Sequence, residues 1–191
     1  KLSGQRLPIA ALAIGTMLPD LHRLFTLRHD PTPHLWSALL YPNLLLGLVF
    51  CALWYLLYRP ALYRFVGMHH PLNLNTIKSA LGFVCGLILA LLIGNATHLI
   101  WDGLTHHDFR SFAFQDFLAQ SVQLGTGIYP MHRVLQIGSS ILALPFLLWM
   151  SLHYYKKHRQ IKPVSIKVLG YAVGLITLSF ALGCFSLWDY A

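Results

Sequence analysis

The chain contains no glutamate, and charged residues of every kind are scarce. They make up 10% of its 191 positions, whereas a soluble globular protein carries about 25%. A surface that faces water on all sides cannot be built from so few charges. This scarcity, together with 56% apolar residues, excludes a soluble domain and a disordered tail, and it predicts an integral membrane protein.

Cysteine is also rare, and its spacing forms no pattern. Cys51, Cys85 and Cys184 lie far apart, each inside an apolar run, and no Cys-x-x-Cys pair occurs. This excludes a secreted disulfide scaffold and gives no indication of thiolate or redox chemistry. We expect three buried free thiols.

Four apolar runs are long enough to cross a hydrocarbon core, which needs about 20 residues. None of them contains Asp, Lys or Arg, and they cover residues 37–58, 79–101, 134–155 and 168–188. A shorter run at 7–18 is followed by Pro19-Asp20. We therefore predict an all-α polytopic integral membrane helical bundle, a single transmembrane domain over 1–191, with four long transmembrane helices plus a short N-terminal helix.

The connector at 103–132 is long for a helical bundle. Its aromatic residues alternate with Gln and Ser, which predicts an interfacial loop or a lid over a site. At the other end, the chain begins with Lys and shows no cleavable signal pattern. We expect the natural N-terminus to lie further upstream.

The distribution of Lys and Arg predicts the orientation, because cytoplasmic connectors are enriched in them. Ten of these residues fall on one side of the four runs, and four fall on the other, namely Arg23, Arg28, Arg110 and Arg133. All the aspartates and seven of the 11 histidines belong to the second side or its boundary. The charge distribution thus predicts a polar His/Asp site on the extracytoplasmic side of the membrane.

The net charge of +8 does not indicate nucleic-acid binding, since the basic residues lie in short connectors between apolar runs. Membrane lipids are the expected partners, and other membrane-protein subunits are a further candidate.

The sharpest local pattern is His98-x3-Asp102-x3-His106 at the end of the run at 79–101. Residues four apart share a helix face, so His98 and Asp102 can reach a common point. Along a continuous helix His98 and His106 are about 12 Å apart. Either the helix breaks at Gly103 and His106 folds back, or Asp102 bridges two metals. An Asp–His hydrogen-bonded pair without metal is the main alternative.

Two other segments bring ligand types to the same side. Asp20 follows the short run, and His34 precedes the second one. Ionisable groups at membrane depth are costly enough to indicate function. We predict that His34, His98, Asp102 and His106 bind a divalent metal ion, with zinc first and manganese or iron as alternatives. Further candidates nearby are His22, His29, His107 and Asp108.

A second polar stripe begins the run at 134–155. Arg133, Gln136 and Ser140 fall at i, i+3 and i+7, which places them on one helical face. An amide in hydrocarbon needs a polar partner, so we expect the stripe to face the metal site and bind an anionic group through Arg133. Asn43 and Asn95, each within a span, could add polar contacts.

Three segments, 14–20, 97–106 and 129–140, resemble in that order the bacterial membrane family called domain of unknown function 4184. That family is thought to be distantly similar to YdjM-like inner-membrane proteins, which are described as metal-dependent hydrolases. Its Gly-Ser-Met-x-Pro-Asp motif is matched with Thr16 in place of Ser, and its Thr-His-Ser motif reads Pro33-His34-Leu35. An often acidic position is Asn43, and a Ser-His-Pro segment before the first helix has no counterpart.

The residues and the resemblance together predict metal-dependent hydrolysis of a lipid or lipid-linked substrate. Asp20 or another unligated carboxylate would accept a proton, and Arg133 would stabilise negative charge. Two alternatives stand beside this reading. The first is a non-catalytic accessory subunit with a structural metal or a polar His/Asp cluster. The second is a transporter or proton relay, which the apolar inner halves of the spans disfavour.

Overall fold

The computed structural model describes residues 7–26, 30–160 and 164–188, with side chains up to residue 184 in the last stretch. Four helical stretches are long and apolar enough to cross a membrane, namely Trp36–Phe65, Ile77–Thr105, Met131–His158 and Ile166–Cys184. A short N-terminal helix precedes them. The predicted all-α membrane fold is therefore confirmed. Six of the charged residues and histidines counted above lie outside the described ranges, namely Lys1, Arg6, Arg28, His29, Lys162 and Asp189.

The helices and strands follow one another in a simple order. The helices are α1 (Ile9–Leu21), α2 (Asn43–Leu53), α3 (Arg59–Phe65), α4 (Ile77–Thr105), α5 (Gln115–Ala119), α6 (Met131–His158) and α7 (Ile166–Trp188), and the strands are β1 (Ser121–Leu124) and β2 (Gly127–Pro130). The chain forms two compact units. We call Lys1–Ala96 with His158–Ala191 unit 1, and Thr97–Lys157 unit 2.

Helix α1 ends three residues later than the sequence predicts. The apolar run stops at Leu18, but the helix continues through Pro19 and Asp20 to Leu21. Proline lacks one backbone donor yet has a helical φ, so a single proline near a helix end can be accommodated. Asp20 therefore lies in the last turn of α1, and the chain then continues as a short 3-10 turn.

The second span is not the single regular helix that the sequence predicts at 37–58. A 3-10 turn at Trp36–Leu39 is followed by α2, a π-helical turn at Trp54–Tyr58 and α3, which extends the helical stretch to Phe65. Pro42 has no N–H, and α2 begins directly after it. The other three spans begin two or three residues before the predicted runs, and two of them end later, because the helix continues beyond its apolar part.

The connector after α4 contains a hairpin that the sequence did not predict. Strands β1 and β2 pair antiparallel, with Leu124 opposite Gly127. Gly125 has a positive φ of 61°, which suits the two-residue turn between them. Each strand has only four residues, so the alternation in Ser121-Val122-Gln123-Leu124 is too short to identify a strand by itself.

The core of unit 1 forms where α1 and α4 approach closely. An added Cβ on Gly15 would lie 2.6 Å from the carbonyl oxygen of Leu91. An added Cβ on Gly94 would collide with the carbonyl oxygen of Leu12 and lie 2.9 Å from the Gly15 Cα. The adjoining buried side chains are Ala11, Leu18, Cys51, Leu87, Ala90 and Leu91.

The three cysteines are free, but their predicted burial holds for one of them. Cys51 is buried against the core, whereas Cys85 and Cys184 are exposed. The apolar runs that contain Cys85 and Cys184 belong to spans whose outward faces meet lipid in a membrane. An apolar sequence environment therefore does not imply burial by protein.

Replacing Gly94 with Ala tests the close approach of α1 and α4. Backbone atoms surround the new methyl group, so the helices must separate, and we expect a loss of stability of about 1–3 kcal/mol. The matched control is Gly86→Ala in the same helix, where the nearest atom is Pro8 Cδ at 3.5 Å. Thermal unfolding of both variants in detergent measures the difference, and equal melting temperatures would contradict this packing.

Candidate functional site

Asp102 lies near the C-terminal end of α4, with one histidine a turn before it and another a turn after it. The residue is 5% exposed. His98 Nε2 lies 3.3 Å from Asp102 Oδ2, and His106 Nδ1 lies 3.4 Å from Asp102 Oδ1. Each carboxylate oxygen therefore faces an imidazole nitrogen.

The helix does not break at Gly103, which was one of the two predicted alternatives. Helix α4 continues to Thr105, and the backbone N–H of His106 donates to the Asp102 carbonyl at 2.9 Å. His106 reaches the carboxylate by helical spacing alone. The Asp102 carboxylate lies between the two imidazole rings, one near each oxygen. This arrangement is compatible with two metals bridged by Asp102 and with a metal-free Asp–His pair.

A third partner of this carboxylate is Arg110, which lies in the loop after α4. Its Nη1 donates to Asp102 Oδ2 at 3.1 Å, and its Nε donates to Asp108 Oδ1 at 2.9 Å. The same guanidinium thus contacts two carboxylates. We call Asp102, His98, His106 and Arg110 the Asp102 cluster; all four belong to unit 2.

The loop that carries Arg110 folds back onto the helix end for local reasons. Asp108 Oδ1 accepts the backbone N–H of Arg110 at 3.0 Å, a side-chain turn typical of Asp. Further on, the N–H of Phe112 donates to the Gly103 carbonyl at 3.2 Å. A Cβ at Gly103 would overlap the Phe112 ring, so glycine lets this ring lie against α4.

Electrostatics in the loop follow from burial and from the charge of Arg110. The hydrogen bond from Arg110 lowers the pKa of Asp108 to about 2. Burial opposes the charge of Arg110, but the Asp108 hydrogen bond and the charge of Asp102 outweigh it and raise the pKa of Arg110. Burial lowers the pKa of His106, against the attraction of Asp102. A lowered pKa favours the neutral imidazole, which is the form that can ligate a metal.

The three residues of the polar stripe on α6, Arg133, Gln136 and Ser140, have different surroundings. Gln136 Nε2 donates to the Thr105 carbonyl at 2.8 Å, so this amide reaches the last residue of α4. Arg133 is exposed, and Ser140 Oγ donates within its own helix to the Gln136 carbonyl at 2.8 Å. Gln136 therefore has the hydrogen-bond partner that an amide needs in an apolar environment. Arg133 is accessible to an anionic group.

In unit 1 the structure brings together Asp20 and His34. Asp20 Oδ1 lies 3.5 Å from His34 Nε2 and 3.9 Å from Arg23 Nη2. His34 sits on a 3-10 turn, Thr32–His34, and is 9% exposed, whereas the Asp20 side chain is 55% exposed. This contact pairs a buried imidazole with a carboxylate that solvent can reach.

Histidine and aspartate side chains of the described residues could hold a metal ion. His34 and Asp20 supply such donors in unit 1, and His98 supplies one in unit 2. Imidazole nitrogen with carboxylate oxygen suits zinc, manganese or iron. The donor chemistry fits the predicted ion.

The further candidate residues have other neighbours. Asp108 pairs with Arg110, and the ring of His107 stacks on that of His132 with centroids 6.2 Å apart. Burial lowers the pKa of His22, against a hydrogen bond with Asn43.

Arg110 is the residue that sequence reasoning missed, because it was counted as a charge that reports topology. The signal that could have found it is Asp108-Phe109-Arg110, where an Asp two residues before an Arg favours a side-chain turn. Its position shortly after a buried Asp would then have indicated an ion pair. The contact between Arg110 and Asp102 runs through an irregular loop, so no periodicity in the sequence reveals it.

The fold and the Asp102 cluster define a class of protein: a polytopic helical membrane protein with a buried aspartate between two histidines at the end of one span. The chain belongs to the family described as Domain of unknown function (DUF4184), whose model matches residues 1–188. No curated protein and no solved structure matches the chain.

Replacing Arg110 with Gln tests the ion pairs of the Asp102 cluster. Removing one partner of a buried charge pair leaves the other poorly compensated, and we expect a loss of about 3 kcal/mol in unfolding free energy. The matched control is Arg133→Gln, an exposed arginine in the same unit. Unfolding in detergent compares the two variants, and an Arg110 variant as stable as the control would contradict the compensating role.

Proposed function

We propose that this protein is a membrane-embedded, metal-dependent hydrolase acting on a lipid or lipid-linked substrate. The observation that carries the proposal is the Asp102 carboxylate, buried in an apolar span and contacted by an imidazole at each oxygen. Ionisable groups at membrane depth are costly and are retained where they serve a function. Three such groups at the end of one helix support a binding site rather than a surface feature.

The proposed metal ligands are His34, His98, Asp102 and His106, and zinc is the proposed ion, with manganese or iron as alternatives. The donor set supports this choice, since nitrogen and carboxylate ligands suit borderline divalent ions. Asp102 has a second role in this proposal, because a carboxylate that contacts ligating histidines also orients their rings.

When bound, a divalent ion would supply Lewis acidity, which makes a water molecule acidic enough to attack at neutral pH. In the proposed reaction Asp20 accepts the proton of the attacking water, and its exposed side chain can pass that proton to solvent. Arg133 holds the developing negative charge of a phosphoryl or acyl oxygen. Arg110 donates a hydrogen bond to Asp102 and holds its carboxylate in place.

The same proposal assigns the protein to a bacterial cytoplasmic membrane, with the Asp102 cluster toward the extracytoplasmic side. The support is the excess of Lys and Arg in the connectors at the opposite ends of the spans. We also propose a distant similarity of this family to YdjM-like metal-dependent hydrolases, which would imply the same chemistry. In this proposal the site lies at the end of a span, at the same depth in the membrane as the lipid headgroups.

One observation favours a second candidate function, a non-catalytic accessory subunit of a larger membrane complex. Arg110 already balances the charge of Asp102, so the Asp102 cluster could stabilise the helix end without an ion. A structural site is closed, whereas a catalytic one keeps an open coordination position. The presence and exchange of a metal separate the two candidates.

Elemental analysis of the purified full chain tests the metal. We expect about one zinc, manganese or iron ion per chain in a ligand set of this kind, and we expect His98→Ala to lose it. The control is His153→Ala, an exposed histidine on α6. Purified wild-type protein without a stoichiometric metal would contradict the hydrolase and support the accessory subunit.

Comparing the hydrolytic activity of the Asp102→Asn variant with that of the wild-type protein tests the catalytic assignment. The probes are phosphatidic acid and diacylglycerol in mixed micelles, with release of phosphate or fatty acid as the readouts. The isosteric amide removes a ligand charge, and we expect activity to fall by at least about 100-fold, as for other essential electrostatic groups. Asp116→Asn, in the exposed first turn of α5, should keep full activity.

Full activity in the Asp102→Asn protein would contradict the assigned site. A metal-loaded wild-type protein that hydrolyses neither probe would contradict the lipid ester as substrate. Measuring metal content on the same samples distinguishes these two results.

A further inference from the structure

Two short segments of unit 1 pair along their backbones, one after α3 and one that starts with the last residue of α6. The N–H of His69 donates to the His158 carbonyl at 2.9 Å. Met68 and Arg159 lie opposite each other in an antiparallel bridge. The two segments are therefore fixed against each other, each at the end of a stretch long and apolar enough to span a membrane.

Gly67 makes this pairing possible. It has a positive φ of 66°, a conformation that suits glycine and turns the chain after α3. An added Cβ would lie 2.9 Å from the carbonyl oxygen of Gln160. The Gln160 N–H donates to the Gly67 carbonyl at 2.6 Å, and the Gly67 N–H donates to the Arg64 carbonyl at 3.3 Å. These two hydrogen bonds in series link the second segment to the last turn of α3.

The side chain of Arg59 holds the first segment on α3. Its Nη2 donates to the His70 carbonyl oxygen, and its guanidinium carbon lies 4.6 Å from the centre of the Tyr63 ring. The His70 ring stacks in turn on that of His158, with centroids 4.2 Å apart and an angle of 22° between the planes. These contacts keep histidines of both segments together at the end of α3.

The residues that meet here are basic and mostly exposed. We call the following five the basic patch: Arg64, His69, His70, His158 and Arg159. All of them except His158, which is half-buried, are exposed. Neither segment contains a carboxylate, since residues 31–101 and 117–188 include no Asp or Glu. Charge complementarity therefore favours an anionic ligand at the basic patch.

The position of the basic patch restricts the kind of anion. Both segments lie where a span ends, which in a membrane is the depth of the lipid headgroups. The planar guanidinium of arginine matches the geometry of phosphate oxygens. Basic residues clustered next to a span attract anionic lipids. The phosphate of a charged lipid headgroup thus fits both the charge of the basic patch and its depth.

We propose that the basic patch binds the phosphate group of an anionic phospholipid. Arg64 supplies charge from α3, Arg159 supplies it from the segment after α6, and the backbone pairing keeps the two sources together. The basic patch shares no residue with the Asp102 cluster or with the proposed catalytic residues. The inference therefore goes beyond the proposed hydrolysis and does not rest on it.

Lipid titration of the full chain tests the basic patch. The purified protein in dodecyl maltoside, an uncharged detergent, is titrated with phosphatidylglycerol and separately with phosphatidylcholine, and native mass spectrometry gives each Kd. Both lipids contain a phosphate, but only phosphatidylglycerol carries a net charge, so we expect it to bind at least about ten-fold more tightly. Equal affinities would overturn the proposal. Complete displacement of phosphatidylglycerol by inorganic phosphate would identify a soluble phosphate as the ligand and would also overturn it.

Paired variants separate a site from general surface charge. Arg64→Gln combined with Arg159→Gln should raise the Kd for phosphatidylglycerol about 10- to 30-fold, because each basic residue near an anionic lipid changes affinity by about five-fold. The matched control combines Lys78→Gln with Lys167→Gln, which removes two exposed lysines of unit 1 outside the basic patch. We expect that control to change the Kd by less than about two-fold.

Equal weakening in the two double variants would assign the binding to diffuse surface charge and overturn the proposal. If the double arginine variant does not fold, Arg159→Gln alone replaces it, with an expected weakening of about five-fold. Unchanged affinity in that single variant would overturn the proposal as well.

Discussion

The cost of holding an ionised carboxylate inside an apolar helix governs the structure around Asp102. In water that charge would be solvated, but at 5% exposure the protein must supply the compensation itself. It does so with His98 from the same helix, with His106 directly after the helix end, and with Arg110 from the loop that follows. The conformation of that loop, including the Asp108 turn and the Phe112 contact, follows from the need to return a cation to the helix end.

The architecture was accessible from the sequence because long apolar runs report membrane spans directly. All four runs correspond to helices, since no other structure satisfies a single segment's backbone in lipid. The local departures from regular, predicted helices could not be predicted from the sequence. The π-helical turn at Trp54–Tyr58 and the continuation of α1 through Pro19 depend on tertiary packing. The strands of the hairpin at 121–130 have four residues each, which is too short for period-2 alternation to identify them.

The candidate site shows the same division between local and distant contacts. The spacing of His98, Asp102 and His106 predicted a shared helix face, and the structure has these side chains in contact. The approach of Arg110 depends on a turn whose closure no periodicity encodes. Ligation by His34 and the roles of Asp20 and Arg133 remain predictions, because chemistry of that kind is established by binding and turnover rather than by proximity.

The π-helical turn in the second span has a consequence for how this family can vary. A π turn holds one residue more than an α turn, so the faces of α2 and α3 are rotated by about one residue, or 100°, relative to a continuous helix. Asn43, Gly47 and Cys51 are buried on α2, and Ala61 is buried on α3, which packs against α7. A relative lacking one residue between Trp54 and Tyr58 would restore the α-helical phase. Such a chain would need a different residue to take the position of Ala61, so insertions and deletions at this turn should be accompanied by changes in α7.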